Sequence, residues 1–148
     1  MTHTEIVQII AGGIGSLGFA VLFNIRGKRL IAAAFGGFLS WLLFVIFSYF
    51  TKNEPLNYFF VAMLLTLYAE VMARVLKTPT TTFITTSLIP LIPGGSLYYT
   101  MAYAFASDSE NFILKGTYTL QLASALALGI IVATTVSRIS LKNKASQK

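Results

Sequence analysis

The sequence has no cysteine, a single histidine and few charged residues. The missing cysteine excludes a disulfide-stapled scaffold. His3 stands at the edge of the chain, so no Ser–His or Cys–His pair and no metal cluster can be assembled. An enzyme is therefore not expected, and neither a metal nor a cofactor. Charged residues are 11% of the chain, where a soluble domain carries about 25% to cover its surface. Hydrophobic residues are 55% and the mean hydropathy is +0.73. Such a chain is neither disordered nor a soluble enzyme; it reads as an all-α membrane protein.

Five segments have the length and apolarity to cross a hydrocarbon core of roughly 30 Å. They are residues 5–25, 30–50, 56–76, 82–105 and 117–137. Together they make one transmembrane domain over residues 1–148 with only short connections. The net charge of +6 is spread between these segments rather than over one soluble face, so topology explains it and nucleic acid is not an expected partner. Arg26, Lys28 and Arg29 follow the first span, Arg74 and Lys77 close the third, and Arg138, Lys142, Lys144 and Lys148 follow the fifth. These nine basic residues fall on one side; Lys52 and Lys115 fall on the other with Glu5, Glu54, Asp108 and Glu110. Basic residues accumulate in cytoplasmic loops, which places the N-terminus outside and the C-terminus in the cytoplasm. The first span lacks a basic residue among its leading positions, so it reads as a retained span rather than a secretory signal.

An odd span number leaves the two termini on opposite sides. Pairing with a second such unit gives two halves of opposite orientation, the plan of many secondary transporters. Small residues recur at four-residue spacing: Ala33 and Gly37, Gly36 and Ser40, and the ladder Ala125, Gly129, Ala133, Ser137. Such faces suit close helix contact in lipid, either within the chain or against another subunit, a homo-oligomer included. Gly13-Ile14-Gly15-Ser16-Leu17-Gly18 matches a dinucleotide-binding pattern. It lies inside an apolar span, with no acidic residue in the region that would meet the ribose, and reads as a packing surface.

The fourth span holds Ile89-Pro90-Leu91-Ile92-Pro93-Gly94-Gly95-Ser96. Pro90 removes the helical bond to Thr86 and Pro93 the bond to Ile89, while Gly94 and Gly95 add backbone freedom. The expectation is a helix broken between Pro90 and Gly95 near mid-membrane. The alternative is a kink that serves packing alone. Unpaired backbone at that depth is tolerated where it lines a wet cavity, and broken helices form transporter binding sites. The second half-helix would present its N–H groups and positive dipole end to an anion, with Ser96 as cap or ligand. Thr85 and Thr86, upstream of the break, are candidate pore-lining residues, though their hydroxyls can equally bond their own helix. Glu70 and Arg74 share one face of the third span. A charge there costs about 2.5–3.5 kcal/mol on insertion scales, so the pair is either a local ion pair or a proton-coupling site. Aromatic residues around Tyr49, Phe50, Tyr58, Phe59 and Phe60 mark the predicted outer interface.

Several segments together resemble the threonine/serine exporter family. They are Gly18-Phe19-Ala20-Val21-Leu22-Phe23-Asn24 before the basic turn, Ala69-Glu70-Val71-Met72-Ala73-Arg74, Pro79 and Phe83, and Ile89 to Gly94 followed by Tyr98. The chain is most similar to the small five-span subunit, equivalent to the C-terminal membrane half of the fused exporters. The resemblance implies a larger partner subunit, with a cytoplasmic N-terminal domain and its own spans, in a bacterial cytoplasmic (inner) membrane. It implies export of threonine and serine, or of dicarboxylates such as succinate, all of which carry a carboxylate. Tyr98 joins Thr85, Thr86, Pro90, Pro93, Gly94, Gly95 and Ser96 as a candidate substrate contact. The rival reading is a membrane scaffold or assembly subunit, which has no need of unpaired mid-membrane backbone.

The absence of native cysteine makes the orientation directly testable. In intact cells, Lys28→Cys and Lys142→Cys should be protected from an impermeant thiol reagent and Ser109→Cys should label. The opposite pattern would invert the topology.

Overall fold

In a computed structural model, residues 2–145 are described, with side chains through Ile139. Lys148 lies outside the described residues, as do the side chains of Lys142 and Lys144. The described chain is all-helical: α1 (His3–Leu22), α2 (Lys28–Phe50), α3 (Glu54–Val75), α4 (Thr80–Leu88), a 3₁₀ turn (Ile89–Leu91), α5 (Gly94–Phe105) and α6 (Ser109–Ala145). Four helices are long and apolar enough to cross a membrane: α1, α2, α3 and the Ser109–Ile139 part of α6. The expected fourth span is broken where the prolines placed the break, into two short helices separated by the 3₁₀ turn and Ile92–Pro93.

Local chemistry sets these bounds. The α1, α3 and α5 ends share one device, with Asn24, Lys77 and Ser107 in the left-handed region (φ 57°, 48° and 57°). Each lets the following N–H reach back past the helix end: Ile25 to the Ala20 carbonyl, Thr78 to Ala73 and Asp108 to Tyr103. Asn53 caps α3 through Leu56 N–H at 3.3 Å, and Pro55 needs no donor in the first turn. The polar stretch before residue 117 was expected as a connection, yet most of it is helix. Asp108 accepts the Asn111 backbone N–H at 3.2 Å and its side-chain amide at 2.7 Å, so α6 starts at Ser109. The Asn111 amide, aided by that N–H, holds the Asp108 carboxyl below the ordinary carboxylate range.

Helix α2 is the hub, touching α1, α3, α4 and the 3₁₀ turn. The two halves of the broken segment have different neighbours: α4 packs on α2 and α3, α5 on α6. Antiparallel α1 and α2 approach at glycine. A Cβ on Gly12 would meet the Gly37 carbonyl at 3.2 Å, and one on Gly37 would lie 1.9 Å from Ser16 Oγ. Gly36, on the adjacent face, leaves room for Ser87 of α4. The α6 ladder is spent within the chain. A Cβ on Gly129 would sit 2.5 Å from the Phe59 carbonyl of α3, and Ala133 and Ser137 are buried. The Gly13–Gly18 pattern sits inside continuous helix, with Gly13 against Phe38.

Pro90 leaves the Thr86 carbonyl without its helical donor. Ser16 Oγ of α1 donates to that carbonyl at 2.8 Å, both residues being fully buried. The Ile89 carbonyl, orphaned by Pro93, instead accepts Ile92 N–H at 3.2 Å within the 3₁₀ turn. A buried, unsatisfied polar group costs about 1–3 kcal/mol, so Ser16 holds α1 to the break.

This pairing has a definite thermodynamic signature. Ser16→Ala should cost about 1–3 kcal/mol in detergent unfolding. In a Pro90→Ala background the restored residue-90 N–H supplies Thr86, and the same substitution should cost under about 0.5 kcal/mol. Equal costs in both backgrounds would break the assignment.

Candidate functional site

The break opens a cavity of about 350 Å³ beside α5. Pro90, Ile92, Pro93, Gly94, Gly95 and Ser96 form one wall, and Tyr99 follows one turn on. Trp41 of α2, Glu54 and Tyr58 of α3, and Lys115, Tyr118 and Leu122 of α6 form the others. The α3 and α6 residues come together because those helices run parallel: Tyr118 meets Glu54 and Gly129 meets Phe59 and Ala62. The first nine residues of α6, 109–117, therefore project about 13 Å past the start of α3, and α5 lies along this projection.

Hydroxyl bonds fix the start of α5. Thr119 Oγ1 donates to the Lys115 carbonyl at 2.8 Å and takes the Ser96 hydroxyl at 2.7 Å. Thr100 Oγ1 donates to the Ser96 carbonyl at 2.9 Å. Ser96 is thus a strut to α6; the expected capping bond is absent, because Pro93 is the N-cap residue. Gly94 N–H turns back to the Ile92 carbonyl at 2.6 Å, and Leu97 N–H begins the helical ladder on Pro93. The N–H groups of Gly95 and Ser96 have no partner among the described residues. They lie at the positive end of a 12-residue helix, where an anion is favoured.

Glu54 and Lys115 are the cavity's ionic groups. Tyr118 donates its hydroxyl to Glu54 Oε2. Glu54 and Lys115 do not form an ion pair; among the described residues that distance is met by Glu70 and Arg74, at 3.0 Å. The cavity lining thus holds a carboxylate, an ammonium and two free N–H groups.

The structure sorts the sequence candidates. Pro90, Pro93, Gly94, Gly95 and Ser96 line the cavity. Thr86 is not among the residues that line the cavity: it is buried and its hydroxyl bonds the Thr82 carbonyl at 2.9 Å. Thr85 bonds the Thr81 carbonyl at 2.8 Å and lines a separate groove with Phe23, Ile25, Thr81 and Thr82. Tyr98 is 69% exposed, edge-on to Tyr99, and Tyr99 is the residue on the cavity wall. Glu70 and Arg74 pair on the C-terminal half of α3, away from the cavity. The two glycines play a different part from the one expected. Neither has a positive φ, and a Cβ on either would meet nothing within 4 Å. The prolines make the break; the glycines leave the opening unfilled.

Reasoning from the sequence missed Trp41, Glu54, Tyr58, Tyr99, Lys115 and Tyr118. Glu54 and Lys115 were assigned to loops by their positions between apolar runs. The available signal was Glu54 directly before Pro55, which marks a helix first turn rather than a loop.

These features define a polytopic helical membrane protein with a charged, polar cavity at a broken helix. The sequence model described as Threonine/Serine exporter, ThrE, matches residues 8–136, and the chain belongs to that family. No curated protein and no solved structure matches it.

The two kinds of glycine should respond oppositely to a side chain. Gly95→Val should fold with a stability change under about 1 kcal/mol, because its Cβ enters open space. Gly37→Val, with Ser16 Oγ 1.9 Å from its Cβ, should fail to give a monodisperse protein in detergent. Comparable behaviour of the two would contradict the packing described.

Proposed function

We propose that the cavity is the substrate site of a secondary exporter of small amino-acid zwitterions, threonine and serine among them. The observation that carries this reading is that Glu54 of α3 and Lys115 of α6 line one cavity together with the start of α5. Lys115 and the free N–H groups of Gly95 and Ser96 take the carboxylate; Glu54, held by Tyr118, takes the ammonium. A dicarboxylate such as succinate would bring its second carboxylate to Glu54, and like charges in a partly desolvated site repel. Trp41 and Tyr58 supply the apolar wall around a short side chain. Family membership supports the transport class.

In this reading α4, the 3₁₀ turn and α5 together make the fourth of five spans, with the N-terminus outside and the C-terminus in the cytoplasm of a bacterial inner membrane. The chain is half of the transporter. Its larger family partner, with a cytoplasmic N-terminal domain, supplies the other half, and the small subunit alone does not transport. A scaffold role has less support, since it gives no use for an acid and a base lining one cavity at a broken helix.

Counterflow in vesicles containing both subunits tests the proposal. Threonine should exchange and succinate should not. Glu54→Gln should lower threonine exchange about 30-fold, the loss of a hydrogen bond to a charged, half-buried group, and should narrow the discrimination against succinate. Succinate exchange with no threonine exchange, or full activity from the small subunit alone, would refute it.

A further inference from the structure

The end of the bundle opposite the cavity holds an unmatched basic surface next to a groove. Arg29 in the first turn of α2 donates to the Leu76 carbonyl of the α3–α4 turn at 3.5 Å, joining the two ends. Arg26, Lys28, Arg29 and Lys77 are exposed there. The acids do not match them. Glu5 bonds Tyr49 and Glu54 bonds Tyr118 at the other end, where Asp108 and Glu110 also begin α6. Glu70 pairs with Arg74. No carboxylate lies within ion-pair distance of the four among the described residues.

Directly beside this surface is the groove of about 280 Å³ between the end of α1 and the start of α4. Its walls differ in character. Thr81, Thr82 and Thr85 offer hydroxyls on one side; Phe23 and Ile25 are apolar on the other. The apolar wall continues along the outside of α1, where the Phe23 and Phe19 rings are 6.3 Å apart and Leu22 is 77% exposed. A cationic rim, a hydroxyl-lined slot and an exposed aromatic track follow one another in the order of a phosphate, a glycerol backbone and an acyl chain.

We propose that this end of the chain binds one anionic phospholipid, its phosphate among Arg26, Lys28 and Lys77, its glycerol region against Thr81 and Thr82, and an acyl chain along Phe23 and Phe19. Charge complementarity selects this occupant over a zwitterionic lipid, because each Lys or Arg near an anionic headgroup contributes about fivefold in affinity. The site is independent of the cavity at Glu54 and Lys115.

Native mass spectrometry of the full chain in a neutral detergent tests this directly. The protein should retain phosphatidylglycerol in preference to phosphatidylcholine. The Arg26→Gln, Lys28→Gln, Lys77→Gln triple variant, which leaves the Arg29 bond in place, should weaken retention about 100-fold. Thr85→Trp, which fills the groove without changing charge, should also lose the lipid, whereas Lys52→Gln at the other end should not. Short-chain phosphatidylglycerol should displace the bound lipid and glycerol phosphate should not. Equal retention of both lipids, an unaltered triple variant, or displacement by glycerol phosphate alone would overturn the proposal.

Discussion

One buried hydrogen bond holds the architecture together at its weakest point. A proline at position 90 leaves the Thr86 carbonyl without a helical partner, in a setting where an unsatisfied buried group costs about 1–3 kcal/mol. Ser16 of α1 supplies the missing donor at 2.8 Å. It reaches Thr86 only because Gly37 has no side chain: Ser16 Oγ occupies the space that a Cβ there would need. Three helices are thereby fixed by one hydroxyl, one absent methyl group and one proline. The end of α4 becomes a rigid edge rather than a frayed one.

Everything on the other side of the break follows from that edge. Pro93 is the N-cap of α5, and as in any first helical turn Gly95 and Ser96 have no preceding carbonyl in reach, so they begin the helix with unpaired donors. Ser96, Thr100 and Thr119 tie this first turn to α6. Helix α6 in turn lies parallel to α3, which brings Lys115 and Tyr118 to Glu54. The fixed half, α4, is buried in the α2–α3 core, with Phe83, Thr86 and Ser87 fully enclosed. The half that carries the donors, α5, has Thr100 as its buried residue and leaves Leu97, Tyr98, Met101 and Phe105 exposed. A rigid floor beneath a lightly packed wall is an arrangement suited to admitting and releasing a small solute.

Much of this was legible in the sequence because proline and charge act locally. Pro90 and Pro93 marked the break to within a few residues, since the loss of an N–H needs no tertiary context. Glu70 and Arg74 announced their contact by spacing alone. What escaped was what depends on packing. Ser16 looked like one more small residue in a glycine-rich span, and nothing local says that its partner is 70 residues away. Glu54 and Lys115 sit 61 positions apart at the ends of apolar runs, where charge is ordinary, and only the parallel register of α3 and α6 brings them to one cavity. Of the two readings open for Thr85 and Thr86, the own-helix bond is the local one. A threonine in a helix bonds its own backbone readily, and both do. Gly94 and Gly95 were read for backbone freedom, whereas their φ values are ordinary and their contribution is the space that they leave.

The most direct measurement is glycine-selective amide NMR of the assembled transporter, with this chain alone carrying ¹⁵N-glycine. Its eleven glycines give a short, assignable set of resonances. If the free N–H groups at the start of α5 receive the substrate carboxylate, threonine should move the Gly95 amide resonance downfield in a saturable manner. Gly129, locked against Phe59 in the α3–α6 contact, should stay fixed. Succinate should leave Gly95 in place. Saturating threonine with no change at Gly95, in a preparation that still exchanges threonine, would show that the substrate binds elsewhere.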